Sequence, residues 1–168
     1  MKKIGIYFGS STGTCEDIAN KIAEKLGVAS DDVHNVSEFD EATAKEYDVL
    51  LLGSSTWGDG DLQDDWFDAA ETIKGIDLSG KTVALFGCGD SADYPDTFCD
   101  SLKHLYDAVK ETGATILPGV STDGYAVTDS AAVEDGKFLG LALDEVNEPD
   151  QDEERIDAWV EAVKKAAE

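Results

Sequence analysis

Ile4-Gly5-Ile6-Tyr7-Phe8-Gly9-Ser10-Ser11-Thr12-Gly13-Thr14-Cys15 is the stretch that decides the fold. A short apolar run of strand character ends in a loop of glycines and hydroxyls. A helical pattern follows at once, with Ile18, Ile22 and Leu26 four residues apart and a stop at Gly27. Backbone N–H groups converge where a strand hands over to a helix N-terminus, and the helix dipole favours an anion there, so such a loop can hold phosphate. Ser10, Ser11, Thr12 and Thr14 add hydroxyl donors, and Gly9 and Gly13 let the backbone come close. No Lys or Arg lies between Lys3 and Lys21, so the loop lacks the lysine of a P-loop. Its glycines are Gly9 and Gly13 only, which does not make Gly-x-Gly-x-x-Gly. A neutral, hydroxyl-rich nest suits one terminal phosphate held in place rather than a triphosphate being cleaved. The alternative is an ordinary strand-to-helix turn with capping hydroxyls.

Outward from this stretch, apolar runs and helix-like patterns alternate. Strands are expected at residues 3–8, 32–36, 48–54, 81–87 and 114–117. The third and fourth are continuously apolar, as parallel strands covered on both faces are. Helix faces are carried by Trp66, Ala70 and Ile73; by Phe98, Leu102, Leu105 and Val109, stopping at Gly113; and by Ile156, Trp159, Val160 and Val163. This alternation predicts an open α/β sheet with right-handed crossovers. Pro118-Gly119, Asp123-Gly124 and Asp135-Gly136 then break the rhythm, and Leu139-Gly140-Leu141-Ala142-Leu143 resumes it. The segment between reads as a loop inserted into the last strand. The acidic run 144–154 lacks the central glycine and alternating ligands of a calcium loop, and reads as a solvated helix entry.

Length and charge narrow the function. The 168 residues fit one domain, residues 1–168. With 37 acids against 13 bases, the net charge is −24. That argues against nucleic acid and anionic membranes and allows a basic protein partner, while solubility or adaptation to salt is an equally open reading. Hydrophobics at 42% exclude disorder as the cause of the acidity. No apolar stretch approaches the ~20 residues of a membrane span. Met1-Lys2-Lys3 runs straight into a strand without an apolar leader. Cys15, Cys88 and Cys99 suggest neither a disulfide framework nor a zinc site, and no metal is expected. A cytoplasmic protein is the expectation. His34 and His104 stand alone and read as surface or helix-face residues.

Ligands of open α/β sheets sit beyond the carboxyl ends of the strands. After the third strand comes Ser54-Ser55-Thr56-Trp57-Gly58-Asp59-Gly60-Asp61-Leu62, and after the fourth Gly87-Cys88-Gly89-Asp90-Ser91-Ala92-Asp93-Tyr94-Pro95. Each loop puts one aromatic among small and polar residues, which is costly unless the ring packs on something. Two such aromatics beside a phosphate nest suggest a flat ring gripped on both faces, with a phosphate tail. Taken singly, Trp57 and Tyr94 could simply cap the sheet.

At this point the chain resembles the flavodoxins. The first loop resembles the family's Thr-x-Thr-Gly-x-Thr, the second its Thr-Trp-x-x-Gly-(Asp/Glu)-Leu, and the third its Gly-x-Gly-Asp…Tyr. Ser121-Thr122-Asp123-Gly124-Tyr125, with Gly136 through Asp144, looks like the insertion of the long-chain members. The resemblance covers essentially the whole chain. It implies an open, doubly wound, five-stranded parallel sheet of order 2-1-3-4-5, its last strand interrupted by the inserted loop. It also implies non-covalent FMN and a low-potential one-electron carrier, with no catalytic residue, that shuttles between semiquinone and hydroquinone. A basic reductase and an acceptor enzyme would be its partners, and a monomer is expected.

By position, the resemblance implies that Ser10, Ser11, Thr12, Gly13, Thr14 and Cys15 hold the phosphate and that Thr56 contacts the ribityl region. Trp57 and Tyr94 would sandwich the isoalloxazine, Asp90 would accept from the flavin N3–H, and the Gly58-Asp59 peptide would face N5. Asp144 would lie near the ribityl hydroxyls, and Ser55, Gly60, Cys88, Gly89 and Phe98 complete the expected site. Two departures stand out: Cys15 where the family has Thr, removing a hydroxyl donor, and Gly58 where long-chain members often carry a larger residue. An acidic shell and stacked aromatics disfavour the anionic reduced flavin, which lowers the potential.

Two rivals share the fold. A flavin-dependent quinone reductase needs room beside the ring, which Trp57 and Tyr94 would close. A phospho-receiver domain needs acids after strand one and an Asp ending strand three, where this chain has Gly9-Ser10-Ser11 and Gly53-Ser54.

Overall fold

In a computed structural model of the chain, the apolar runs form the strands expected of them, and the corrections fall at their ends. The structure describes all residues except 1, 10–12, 58–60, 63–65, 90–91, 93–97, 118, 123–124, 126–129, 131 and 145–146, and except the side chains of residues 57, 61 and 62. The elements in chain order are β1 (Ile4–Gly9), α1 (Thr14–Leu26), β2 (Val33–Asn35), α2 (Glu41–Ala44), β3 (Val49–Trp57), β4 (Asp61–Leu62) and α3 (Trp66–Lys74). Then follow β5 (Thr82–Cys88), α4 (Ser101–Val109), β6 (Thr115–Ile116), β7 (Val133–Glu134), β8 (Lys137–Phe138), β9 (Leu141–Leu143) and α5 (Asp152–Ala166).

The main sheet runs β2-β1-β3-β5-β6. Its pairs along this path are parallel. β6 and β9 both pair in parallel with β5: Thr115 and Ile116 lie opposite Thr82 and Val83, and Leu141 to Leu143 opposite Phe86 to Cys88. They are two halves of a fifth strand, so the order in the five-strand count is 2-1-3-4-5, with the last strand interrupted as expected. The interruption holds the hairpin β7–β8, whose turn residues Asp135 and Gly136 are left-handed at φ 54° and 77°. A two-residue turn of this hand matches the twist of paired strands, and Asp-Gly reaches it at low cost.

Strand alternation sends side chains to two cores. Leu50, Leu52, Val83 and Leu85 pack with Trp66 and Ile73 of α3 and Leu102 and Leu105 of α4. Val49, Leu51, Ala84 and Phe86 pack with Ile18 and Ile22 of α1 and Ile156 and Val160 of α5. Two helices per face is why β3 and β5 read as continuously apolar. The Phe86 ring fills the space that a side chain at Gly53 would need, and the Gly53 carbonyl accepts the Trp66 indole N–H at 2.7 Å. α1 stops at Gly27, left-handed at φ 73°, whose N–H returns to the carbonyls of Ala23 and Glu24.

One helix begins later than its apolar spacing suggests. Phe98 shares the i, i+4 spacing of Leu102, yet α4 starts at Ser101. Cys99 is left-handed at φ 56°, which no helix continues through, so Phe98 belongs to the preceding loop. Among the described residues, no helix is long and apolar enough to cross a membrane.

Candidate functional site

The register of the sheet brings the expected loops to one edge. Gly9 lies opposite Ser54, Ser54 opposite Gly87, and Gly87 opposite Ala142. One step further, Ser55 lies opposite Cys88 and Cys88 opposite Leu143. The chain therefore leaves β1, β3, β5 and β9 at the same carboxyl edge, where an open α/β sheet carries its ligand.

At the first loop, Gly13 is the N-cap of α1, left-handed at φ 91°, and its carbonyl accepts the Asp17 N–H at 3.0 Å. A Cβ there would meet nothing within 4 Å, so the backbone angle and not crowding calls for glycine. Thr14 opens the helix. Cys15 is fully buried with Ile18, Ile22 and Phe8, on the stripe of α1 that faces the sheet. Ser10, Ser11 and Thr12 lie outside the described residues.

At the second loop, Ser54 is fully buried and its hydroxyl donates to the Ser55 carbonyl at 2.8 Å. Thr56 is half-buried, and Thr56 and Trp57 pair antiparallel with Leu62 and Asp61 of β4. Gly58, Asp59 and Gly60 lie outside the described residues, as does the side chain of Trp57.

At the third loop, the Gly89 N–H donates to the Leu143 carbonyl at 3.0 Å, holding the loop to β9. A Cβ on Gly89 would lie 2.8 Å from the Cys99 nitrogen and 3.2 Å from the Phe98 ring, so glycine lets the two ends of the loop close on each other. Cys88 and Cys99 are buried, and the Cys99 thiol lies 3.7 Å from the Leu143 carbonyl. Burial first, then the neighbouring Cys88, Asp144 and Asp100, pushes the Cys99 thiol well above its ordinary value, although the Leu143 contact opposes this; Cys99 stays protonated. Asp90 and Tyr94 lie outside the described residues.

Asp144 follows β9 and is fully buried. Its Oδ1 accepts from the Asn147 N–H at 3.1 Å and from Asn147 Nδ2 at 3.0 Å. The Glu148 N–H donates to the Asp144 carbonyl at 2.8 Å. Asn147 Nδ2 also reaches Oδ2 at 3.3 Å, so a local turn ties the carboxylate to the strand end.

Phe98 sits against Tyr125 and Phe138 of the insertion, with ring centroids 6.3 and 5.8 Å away, and is 1% exposed. The structure thereby gives it a bracing place between the third loop and the insertion. Three further residues had no assigned role in the sequence reading. The buried Tyr125 hydroxyl donates to the Ala142 carbonyl at 2.6 Å. Burial raises its phenol far above the ordinary range, against the pull of Arg155. The Arg155 guanidinium stacks 3.6 Å from the Tyr125 ring centroid and pairs with Glu148 at 3.5 Å. Ser101 is fully buried and bonds to Thr56. No local pattern announces any of these, because each acts across a long loop.

Chemically, the edge offers hydroxyls (Thr14, Ser55, Thr56), a helix N-terminus and one buried carboxylate. Such a set has the donors and acceptors that a phosphate and a polyol call for. Among the described residues, no group of three or more His, Cys, Asp or Glu side chains could hold a metal ion.

The comparisons with known proteins agree with this geometry. The family model described as flavodoxin matches residues 6–159. The chain is 43% identical over 164 residues to a flavodoxin of Klebsiella pneumoniae, covering 97% of this chain and 93% of that protein. It is 43% identical over 166 residues to flavodoxin 1 of Azotobacter vinelandii, covering 95% and 94%. It superposes on the crystal structure of Fusobacterium nucleatum flavodoxin bound to flavin mononucleotide with a TM-score of 0.90 at 33% identity, covering 100% of both chains.

Proposed function

The chain belongs to the flavodoxin family, and from that premise we propose that residues 1–168 form one FMN-binding unit whose site is the shared carboxyl edge of β1, β3, β5 and β9. The protein is an FMN-based electron carrier that serves redox partner proteins, not an enzyme. One observation supports placing the site here: the register that sets Gly9, Ser54, Gly87 and Ala142 side by side.

The residues fit the group. The phosphate falls to Ser10, Ser11, Thr12, Gly13 and Thr14 at the start of α1, where Gly13 provides the left-handed turn and no lysine is needed for a single phosphate. Cys15 supports that turn from its fully buried place beneath α1. The ribityl chain falls to Ser55, Thr56 and the buried Asp144. The ring would fall to Trp57 and Tyr94, with Gly58, Asp59, Gly60, Cys88, Gly89 and Asp90 completing its surroundings. Phe98 braces the third loop from behind. Bound FMN supplies the electron chemistry, while the protein excludes water from it and surrounds it with negative charge.

The partners are basic on their docking faces, because a net charge of −24 attracts a positive surface and repels a negative one. We place the protein in the cytoplasm as a monomer, and read its insertion as that of the long-chain members. Acid release of the cofactor followed by chromatography tests the assignment: one FMN per chain is expected. Recovery of mainly FAD, or no flavin after reconstitution with FMN, overturns it.

A second prediction concerns Gly58, which lies outside the described residues. In this family the peptide after the loop tryptophan turns over on one-electron reduction, and glycine takes up the turned form without a Cβ penalty. Gly58→Val should narrow the separation between the two one-electron potentials by on the order of 1 kcal/mol or more. Potentiometric titration reads this directly; equal shifts of both couples would mean that Gly58 merely eases a turn.

A further inference from the structure

Two hydroxyls 45 residues apart in sequence close on each other at the rim of the site. The Thr56 hydroxyl donates to Ser101 Oγ at 2.8 Å. The Ser101 hydroxyl in turn donates to the Ser54 carbonyl at 3.1 Å. The Ser101 N–H returns to Thr56 Oγ1 at 3.3 Å. Ser101 is fully buried at the first position of α4, and Thr56 is the penultimate residue of β3. The clasp thus joins the end of the second loop's strand to the helix that follows the third loop.

The chemistry demands a hydroxyl at 101. The side chain must accept from Thr56 and donate to Ser54 at once, and a hydroxyl does both from a single atom in this fully buried place. Gly87 leaves room beneath it, since a Cβ there would lie 3.3 Å from Ser101 Oγ and 3.1 Å from the Ser54 carbonyl oxygen. The arrangement also sets what Thr56 can do. Its one proton is committed to Ser101 and one lone pair to the Ser101 N–H, so toward a ligand it can only accept, and only once.

We infer that Ser101 is a positioning residue for the cofactor, fixing the gap between the loop that carries Trp57 and the loop that carries Tyr94. This rests on the reading that FMN binds at this edge. The clasp ties the end of β3, one residue before Trp57, to the first residue of α4, the helix that follows the third loop in the chain. Without it, β3 and α4 remain packed, but the polar contact that sets their spacing at the rim is gone.

The test compares the parent with Ser101→Ala, Thr56→Val and the double variant, each prepared as apoprotein and titrated with FMN. Flavin visible circular dichroism, both one-electron potentials and urea unfolding of each apoprotein are read alongside. Ser101→Ala should weaken FMN about tenfold, the effect of one to two lost hydrogen bonds. It should also change the flavin dichroism and shift the two couples unequally. The double variant should lose less than the product of the single losses, because both break the same clasp. Lower apoprotein stability with parent FMN affinity, dichroism and potentials would make Ser101 a core strut only and overturn the proposal. Additive losses would overturn it as well. Should Ser101→Ala not fold, Ser101→Cys, which keeps only a weak donor and acceptor at the same place, carries the same comparison. A parent that fails to bind FMN would overturn the functional reading itself, and is told apart because no variant is needed to see it.

Discussion

Reduction of this protein by a basic redox partner should slow by one to three orders of magnitude between about 0.01 M and 1 M salt. Electrostatic steering raises association rates by roughly 10- to 1,000-fold. Its range shrinks from a Debye length of about 30 Å to about 3 Å across that span. The charge available to steer is large, 37 acids against 13 bases. Several of the described cations are already engaged locally: Lys25 binds Glu153 at 2.8 Å and Asp157 at 2.7 Å, and Lys103 and Lys110 both reach Asp107 at 3.2 Å. Those surface pairs add little to stability, yet they neutralise much of the positive charge the surface has. Stopped-flow reduction at fixed partner concentration gives the salt slope, and a flat profile removes the acidic surface from partner recognition. Unfolding of the apoprotein over the same salt range separates the other reading of the acidity. Self-repulsion within a chain of net charge −24 is relieved by screening, so adaptation to salt would show as stability rising with salt.

Gly140→Ala should destabilise the protein by about 3 kcal/mol, the upper end of what overpacking costs. A Cβ at Gly140 falls inside contact distance of the Leu85 carbonyl oxygen and 2.7 Å from the carbonyl carbon. Both are backbone atoms of a central strand, so neither can rotate away. β9 would have to lift from β5, opening the pairing of Leu141 with Phe86 and of Leu143 with Cys88. The damage reaches the site, because the Gly89 N–H is anchored on the Leu143 carbonyl and the buried Asp144 follows Leu143 directly. FMN affinity should fall together with stability. A urea midpoint equal to that of the parent, with unchanged slope, would show that the strand has slack where the structure shows none.

Much of this was readable from the chain alone, and the reason is locality. Continuous apolar runs at β3 and β5 announce strands covered on both faces, and the i, i+4 spacing of Ile18, Ile22 and Leu26 announces α1, because each pattern depends only on near neighbours. Glycines and hydroxyls following Phe8 mark a turn from strand to helix for the same reason. The alternation of strand and helix then leaves few ways to wind the sheet, since crossovers are right-handed and parallel strands need a covering helix.

Other features were settled only when distant segments met. The spacing of Phe98 matches a helix face, yet a left-handed Cys99 stops the helix short and the aromatic cluster with Tyr125 and Phe138 claims the ring. Cys15 sits in a loop motif by sequence, while the first turn of α1 rolls its side chain fully into the core beneath the sheet. The interruption of the last strand was legible in the turns after Leu117 and the apolar run that resumes at Leu139, but only the shared ladder on β5 decides the register of β6 and β9. The Ser101–Thr56 clasp spans 45 residues and leaves no mark in either neighbourhood. Periodicity and loop chemistry are properties of a short segment and survive in a string of letters. Register, burial of a particular side chain and a hydrogen bond between remote hydroxyls are properties of pairs, and only the packed sheet decides which pairs exist.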